Sequence, residues 1–553
     1  MYERGVNFVT AFLFCPMNVL LLNLARFGDL LQTQAAITGL ARQGHRVGIV
    51  CLDNFVEAAA LLSDVSHIAP VPGSAFLPEK PGKGKARAIW PGALASLAAW
   101  RDALHSVFVP DRVCNLISSP SSQLLASFVA GGAPCSGFSV DGHGFGVTGN
   151  PWASFLRGSL KSRGVSPFNI VDIFRKIAGT EAEDSIGDNA LRRPPENALA
   201  AARELLLAEL PLEALDCRGF VALQLGASSD HRRWPVSSFA ALGDILWQEG
   251  KFCPVLLGSV KEIRLAERYA LAAKHPHISM CGRTGLSELA ALLCVSQMLI
   301  SNDTGTMHLA AGLGLPVLAV FLATAQPFDT GPYLAGSCSV EPLLSCHPCP
   351  FGTACEHEFA CRSAISPELL GGLALSRLEQ GDWRMPEGSR GSARVWISVV
   401  DKQGSIDLQS LSGHGTGSRA SWMSVQRHFL RQFLDRDTSV AGFTPQAMPG
   451  PVALSGDMFA ATVGALDQAR SFVDLMQEQG RVLLFRPMPL MRERFLATWG
   501  KVRESLDGVP PLKALAVLWE QETQAPDLRL DKVLALAEDF SRLLEHMRGA
   551  LRG

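Results

Sequence analysis

The stretch SNDTGTMHLAAGLGLPVLAVF at residues 301–321 constrains the fold most, because it sets a polar turn and a short helical segment between two apolar runs. Both runs have the length of buried strands. Asp303 is a suitable helix N-cap, and Gly314 and Pro316 are suitable stop signals. A β-α-β unit of this kind places a helix N-terminus at the carboxyl end of a parallel strand, where anions bind. The stretch therefore predicts an anion site in an α/β domain.

The same alternation of apolar strands and helices begins at residue 19 and again at residue 220. It predicts two doubly wound, Rossmann-like domains with parallel sheets. After about residue 385 the sequence becomes rich in Gly and Ser and then shows long helical patterns. A chain of 553 residues is too long for one core. We predict two α/β domains at 1–195 and 196–384 and a mostly helical accessory domain at 385–553.

The composition limits the classes of protein that this chain can belong to. It contains 47% hydrophobic and 18% charged residues, which is typical of a globular protein. The formal net charge of −2 gives no overall basic field, so we expect no nucleic-acid partner. Most cysteines stand singly in apolar segments, a pattern of reduced thiols that favours the cytoplasm.

Two segments near the N-terminus do not fit the α/β pattern. Pro16, Asn18 and Asn23 interrupt the apolar segment 8–25, so we expect the native product to start near Met17. The alternative is a weakly amphipathic N-terminal anchor. A mobile loop is predicted at 73–92, where four cations stand among Pro and Gly. This loop is either solvated or holds an anionic acceptor at a membrane face; its cations are Lys80, Lys83, Lys85 and Arg87.

Charged side chains follow the first strand of each predicted α/β domain. Gly28 permits a tight turn, and Asp29 is either a plain N-cap or a general base aimed into a cleft. In the second domain, Ser228 opens a turn that contains Arg232 and Arg233. These two arginines are either solvated or fixed cationic donors for a diphosphate.

Two further turns of the second domain carry candidate ligands. Glu262 is either a surface carboxylate or an acceptor for ribose hydroxyls. In the turn after Asp303, the Thr304 hydroxyl and the amides of Gly305 and Thr306 can donate to a phosphate. His308 either reaches that phosphate or packs beside it.

Four cysteines, Cys346, Cys349, Cys355 and Cys361, have the spacing C-x2-C-x5-C-x5-C, with Cys338 nearby. Four thiolates at such a spacing can hold a structural zinc ion or an iron–sulfur cluster. The spacing is irregular and contains one C-x-x-C pair, so isolated reduced thiols and oxidised pairs are alternatives. We treat the four as a candidate metal site.

Taken together, three of these turns resemble the family 9 glycosyltransferases, which include the heptosyltransferases of lipopolysaccharide assembly. The matching residues are Gly-Asp-Leu at 28–30, Gly-Ala-Ser through Arg-Arg-Trp-Pro at 226–235, and the Ser-Asn-Asp-Thr-Gly-x-Met-His block from 301. The resemblance covers about residues 17–375. It implies a GT-B fold, with the acceptor on the N-terminal domain, the nucleotide-sugar on the C-terminal domain, and inverting transfer that needs no metal.

The resemblance also implies roles for individual residues. Asp29 would be the base, Glu262 a ribose ligand, and 303–305 the phosphate loop. Arg232 would be the basic ligand of the diphosphate, where heptosyltransferases often carry Lys, so the phosphate contacts can differ. Neither α/β half carries an Asp-x-Asp signature where a metal-dependent transferase would need one.

We therefore expect a glycosyltransferase that moves a sugar, with ADP-heptose as the expected donor, onto a lipopolysaccharide-type glycan of the cell envelope. The expected location is the cytoplasm, with peripheral contact at the inner face of the inner membrane. Two alternatives stay open. One is a nucleotide-sugar epimerase of GT-B architecture, and the other is a non-catalytic nucleotide-sugar-binding scaffold.

Overall fold

A computed structural model describes residues 16–73, 86–159, 166–181, 187–389, 391–436, 442–448, 452–454, 456–524 and 528–552. Two sheets covered by helices are followed by a helical unit, as the sequence predicts. The segment before Pro16 and the predicted loop cations Lys80, Lys83 and Lys85 lie outside the described residues. Residues 86–92 were predicted as loop but begin a helix, so that prediction is wrong there.

The first sheet has six strands in the order β3-β2-β1-β4-β5-β6. All neighbours are parallel except β5 and β6. Strand β1 lies in the middle, and Leu21 is opposite Ile49 on one side and Cys114 on the other. The strands are β1 (Asn18–Leu22), β2 (Arg46–Leu52), β3 (Val65–Val71), β4 (Arg112–Asn115), β5 (Cys135–Val140) and β6 (Gly146–Thr148).

The helices of the first half cover both faces of this sheet. The single helix predicted after β1 is broken at Gln32 and Thr33 into two helices, and the first of these carries Asp29. The helices are α1 (Phe27–Leu31), α2 (Gln34–Arg42), α3 (Val56–Ala60), α4 (Ala86–Val107), α5 (Pro120–Ala130), α6 (Pro151–Ser159) and α7 (Ile170–Ala178).

The second sheet has eight strands in the order β14-β13-β12-β11-β10-β7-β8-β9. The six strands β12, β11, β10, β7, β8 and β9 are parallel to one another. The hairpin of β13 and β14 extends the sheet beside β12 with antiparallel pairing. The sheet thus continues past residue 384, where the sequence placed the end of the domain. The strands are β7 (Gly219–Gln224), β8 (Phe252–Leu257), β9 (Ile278–Ser279), β10 (Met298–Asn302), β11 (Val317–Val320), β12 (Cys338–Pro342), β13 (Ala393–Val400) and β14 (Ile406–Ser410).

Seven helices of the described chain accompany this sheet. The helix that the sequence predicts after Asp303 is present, and its N-cap is the next residue, Thr304. The helices are α8 (Glu196–Ala208), α9 (Val236–Gly250), α10 (Ile263–Ala272), α11 (Leu286–Val295), α12 (Gly305–Gly312), α13 (Pro327–Thr330) and α14 (Pro367–Gln380).

The C-terminal unit is mostly helical, as predicted. Its core is continuous with that of the first half, and Trp152 of α6 donates through Nε1 to the Asp435 carboxylate at 2.8 Å. Among the described residues, no helix combines the length and apolar composition needed to cross a bilayer. The elements are α15 (Ser418–Leu434), β15 (Val452–Ala453), α16 (Gly456–Phe485), α17 (Pro489–Asp507), α18 (Lys513–Thr523), α19 (Leu530–Gly549) and β16 (Leu551–Arg552).

A buried ionic network joins the two α/β halves. Arg175 of α7 pairs with the carboxylate of Asp172, and its second terminal nitrogen lies 3.7 Å from Asp188. From the other half, the Tyr333 hydroxyl donates to Asp172 at 2.7 Å. Burial and the nearby Asp172 raise the pKa of Tyr333 well above its usual value, so the hydroxyl stays a donor.

A second set of ion pairs joins the third unit to both halves. Arg427 of α15 donates to the Pro167 carbonyl at 2.9 Å and to Asp401, in the β13–β14 turn, at 2.7 Å. Arg431 contacts the same carboxylate at 2.8 Å. Burial alone would raise the pKa of Asp401, but the two guanidiniums outweigh it and hold the pKa at about 2.

The depressed pKa of Asp401 predicts loss of stability in acid. Because the folded-state pKa lies below the usual 3.8, the ionised carboxylate stabilises the fold above about pH 4, and this contribution is lost as the pH falls towards 2. Its size is about 2 kcal/mol. Urea unfolding across this pH range measures it. Asp401→Asn should be less stable at pH 7 and should show a flatter profile; an unchanged profile would contradict the pairing.

Candidate functional site

The candidate site is a cavity of about 630 Å3 between the two α/β halves. It lies at the carboxyl ends of the strands, where α/β sheets bind ligands. Every residue that the sequence singled out for the site lines this cavity, with the single exception of Arg233. The turns that supply these residues follow β1, β7, β8 and β10, so four separate segments of the chain meet at one place.

The two halves meet at the floor of the cavity through two glycines. A Cβ atom on Gly28 would lie 2.9 Å from the Cα of Gly305 and 3.3 Å from the ring of His308. A Cβ on Gly305 would lie 2.3 Å from the ring of Phe27. Neither position has room for a side chain, so the turn after β1 lies directly against the turn after β10.

Asp29 belongs to the first turn of α1 and is half-buried at the cavity wall. It is not the plain N-cap that was one interpretation, because the helix is preceded by Arg26 and lacks a side-chain cap. The Asn23 amide donates to the main-chain carbonyl of Asp29 at 2.9 Å and to the Thr33 hydroxyl at 3.0 Å. This buried amide fixes the backbone that carries the carboxylate.

Residues 303–306, the predicted phosphate loop, line the cavity, but Asp303 is not the helix N-cap that was expected. The N-cap of α12 is Thr304, and the Asp303 carboxylate forms an ion pair with Arg232. Arg232 also donates to the Ser228 hydroxyl at 3.1 Å. The helix has no side-chain cap at Thr304, and Gly305 and Thr306 at its start line the cavity.

Asn302 organises this part of the site and was missed in the sequence. Its side chain is fully buried, accepts from the Trp234 amide at 2.8 Å and donates to the Gly226 carbonyl at 2.9 Å. It therefore holds the turn after β7 against the turn after β10. The sequence did contain a signal for this role: an Asn stands at the end of a buried strand, directly before the Asp-Thr-Gly turn. A buried side-chain amide needs hydrogen-bond partners, so it indicates a contact with another segment.

Gln224, also missed, joins the other two ligand candidates. Its amide oxygen accepts from the Thr306 hydroxyl at 3.0 Å, and its amide nitrogen donates to Glu262 at 3.2 Å. The other carboxylate oxygen of Glu262 accepts from the Ser259 amide at 2.7 Å and hydroxyl at 2.8 Å. Hydrogen bonds therefore hold Glu262 at the cavity wall, unlike the free surface carboxylate that was one of its two interpretations.

Arg233 does not belong to the cavity. It pairs with Asp230, and its pKa is lowered by burial and by the neighbouring Arg362 and Arg268. Of the two arginines predicted as cationic donors, only Arg232 therefore lines the cavity. Arg232 is the last residue of a 3-10 turn (Asp230–Arg232), whereas the backbone of Arg233 is extended, so the two side chains leave the chain in different directions. His308 is buried beside Gly28 at the cavity edge, so it packs there as well as lining the cavity.

The four candidate metal ligands line a second cavity, of about 500 Å3, beside the Arg232 turn. His231 of that turn stacks on Phe359 of the Cys-rich segment, with ring centroids 4.4 Å apart. Burial and the thiols of Cys346, Cys361 and Cys355 raise the pKa of Cys349 to about 11. Within the described residues, no group of three or more metal-binding side chains is placed to hold an ion. Cys338 is buried in β12, away from this cavity.

Comparisons with known proteins point to one family of enzymes. Residues 172–351 match the family model described as glycosyltransferase family 9 (heptosyltransferase). Lipooligosaccharide heptosyltransferase 2 of Haemophilus ducreyi is 37% identical over 106 residues, and lipopolysaccharide heptosyltransferase 2 of Escherichia coli is 30% identical over 101 residues. Over this part of the sequence, the chain is similar to family 9 heptosyltransferases. The two matches each span 18% of this chain, and they span 30% and 29% of the two relatives, so the chain matches less than a third of the length of these relatives.

A solved structure resembles the fold of this chain over a longer range. A family 9 glycosyl transferase from Veillonella parvula superposes with a TM-score of 0.50 and 18% sequence identity. The superposition covers 66% of this chain and 98% of that structure. At this identity the likeness concerns the fold, and it supports the GT-B arrangement of two α/β halves.

The close approach of the two glycines predicts a cost for adding a methyl group. Gly28→Ala should lower the free energy of unfolding by about 1–3 kcal/mol, because the new Cβ meets main-chain atoms that cannot turn away. Gly464→Ala is the matched control, since Gly464 is also helical but has open space around it. That control should be neutral or slightly stabilising. Equal urea midpoints for Gly28→Ala and the wild type would contradict the contact.

Proposed function

We propose that this protein is an inverting, metal-independent glycosyltransferase. It moves a sugar from a nucleoside diphosphate donor to a hydroxyl group of a lipopolysaccharide-type glycan. One observation carries the proposal: a carboxylate from the first half and a helix N-terminus with an arginine from the second line the same cavity. The heptosyltransferase names of the relatives support heptose as the sugar, and we propose ADP-heptose as its donor.

In this mechanism Asp29 accepts the proton of the acceptor hydroxyl. The acceptor oxygen forms a bond to the anomeric carbon, and the bond from that carbon to the phosphate oxygen breaks on the opposite face. The nucleoside diphosphate leaves with the electron pair. A base on the face opposite the leaving group gives inversion, and Asp29 comes from the half that does not supply the phosphate loop.

The departing diphosphate gains negative charge in the transition state. Arg232 and the amides of Gly305 and Thr306, at the start of α12, stabilise that charge in place of a metal ion. Asp303 holds the guanidinium of Arg232 at the cavity wall. Glu262 accepts from the ribose hydroxyls of the donor through the carboxylate oxygen that faces Gln224.

We also propose that the reaction takes place in the cytoplasm, at the inner face of the inner membrane, where a lipid-linked acceptor is accessible. The acceptor binds on the N-terminal half, beside Asp29.

Two substitutions test the roles of the two cavity walls. Asp29→Asn should lower the rate of transfer by at least about 100-fold and leave donor affinity unchanged, because the base acts on the acceptor. Arg232→Gln should weaken donor binding. The measurement is transfer from ADP-heptose to a lipopolysaccharide-type acceptor, followed by mass spectrometry, with calorimetry for ADP binding. Asp53→Asn is the matched control, since Asp53 is exposed and also follows a parallel strand.

The same reaction mixture separates the alternatives. Isomerised donor in the absence of acceptor would indicate an epimerase. Donor binding without any turnover, unaffected by Asp29→Asn, would indicate a scaffold. Transfer that persists in a chelator supports metal independence, and transfer abolished by the chelator and restored by Mg²⁺ contradicts it.

We further propose that Cys346, Cys349, Cys355 and Cys361 hold a structural zinc ion or an iron–sulfur cluster. Support comes from the spacing of the four cysteines in the sequence and from the one cavity that all four line. Elemental analysis of the purified protein should find zinc or iron in stoichiometric amount, and Cys349→Ser should lose it. Cys281→Ser is the control, because Cys281 is a buried cysteine outside the cluster. Metal-free protein with four titratable thiols would contradict the proposal.

A further inference from the structure

The C-terminal unit exposes an apolar surface that the proposed transfer reaction does not use. Helices α16 and α17 form a hairpin, and its tip comprises residues 482–496. Of the 22 large hydrophobic side chains that are exposed in the described chain, six lie in these fifteen residues. They are Val482, Leu484, Phe485, Met488, Leu490 and Leu496.

The exposure at the hairpin tip is extreme for apolar residues. Phe485, the last residue of α16, is 94% exposed, and it is followed by Arg486, Pro487 and Met488. Beside it, Pro487, Met488 and Phe495 line an open groove of about 970 Å3. Soluble monomers rarely expose apolar side chains in such a concentration without a binding role.

The charge around the hairpin tip is positive. Arg481, Arg486, Arg492 and Arg494 surround the apolar side chains, and Glu493 is the one carboxylate in this segment, in a chain of net charge −2. Within the described residues, Arg486, Arg492 and Arg494 form no ion pair. Arginines can extend towards an anionic surface while their stems cover apolar groups.

From this combination we infer that the hairpin tip inserts into the interfacial region of an anionic phospholipid bilayer. A turn with protruding Phe and Leu side chains, bordered by arginines, matches the chemistry of that region, where acyl chains lie beneath phosphate headgroups. A protein partner of the same polarity would need its own acidic rim around an apolar pocket. The bilayer supplies both features as a continuous surface, so it is the occupant that the charge pattern favours.

Flotation of the full-length protein with vesicles tests this inference. The protein should bind vesicles that contain phosphatidylglycerol, bind phosphatidylcholine vesicles more weakly, and lose affinity as salt is added. Phe485→Ser should lower the partition coefficient about ten-fold. Arg486→Gln should lower it about five-fold on phosphatidylglycerol vesicles and have little effect on phosphatidylcholine vesicles.

Matched controls keep the test specific. Phe145→Ser removes another exposed Phe, and Arg264→Gln removes an exposed Arg on α10; both should bind as the wild type does. Because Phe485 is almost fully exposed, its variant should melt at the wild-type temperature, which excludes unfolding as the cause of lost binding. The inference is overturned if anionic vesicles do not bind, if Phe485→Ser binds normally, or if Phe485→Ser instead abolishes self-association in vesicle-free solution.

Discussion

The close approach of Gly28 and Gly305 is the constraint on which the candidate site depends. Each glycine occupies a space that a single methyl group would overfill, one against main-chain atoms and the other against the ring of Phe27. Because of this contact, the turn that carries Asp29 and the turn that starts α12 share one cavity. If the turns were further apart, the Asp29 carboxylate and the start of α12 would belong to separate surfaces, and the proposed transfer between one donor and one acceptor could not take place.

The ionic networks away from the cavity support this arrangement. Arg175, Asp172 and Tyr333 fix the two halves to each other, and Arg427 and Asp401 fix the helical unit to both. Removing one partner of a buried ion pair costs about 3–5 kcal/mol, because the other charge stays buried. Such pairs are poor sources of net stability, but they penalise any other orientation of the units. The ion pairs therefore fix the relative orientation in which the two turns face each other.

The sequence predicts this fold well where the chain alternates between apolar strands and helices. The strands before Asp29 and before Asp303 are recognisable because they are short, apolar and followed by turn residues. The hairpin at β13 and β14 was harder to assign, since its flanks are rich in Gly and Ser and its pairing with β12 is set by tertiary contacts. The start of α4 was missed for a similar reason, because Pro and Gly in its sequence resemble a loop.

For the site, the sequence indicated which residues line the cavity better than it indicated what each side chain contacts there. Asp29, Arg232, Glu262 and the loop at 303–306 were all chosen correctly as residues of one cavity. The roles of Asp303 and Arg233 depend on which neighbour each side chain meets across the turn, and linear sequence does not contain that information. Asn302 and Gln224 were missed because their importance lies in hydrogen bonds to segments about 80 residues away in the chain.

The most direct test of the account is a crystal structure with a nucleoside diphosphate bound. We expect the diphosphate within hydrogen-bonding distance of Arg232 and the amides of Gly305 and Thr306, with the carboxylate of Asp29 facing it across the cavity. A nucleotide bound in the cysteine-lined cavity, or an Asp29 side chain directed away from the diphosphate, would contradict the account.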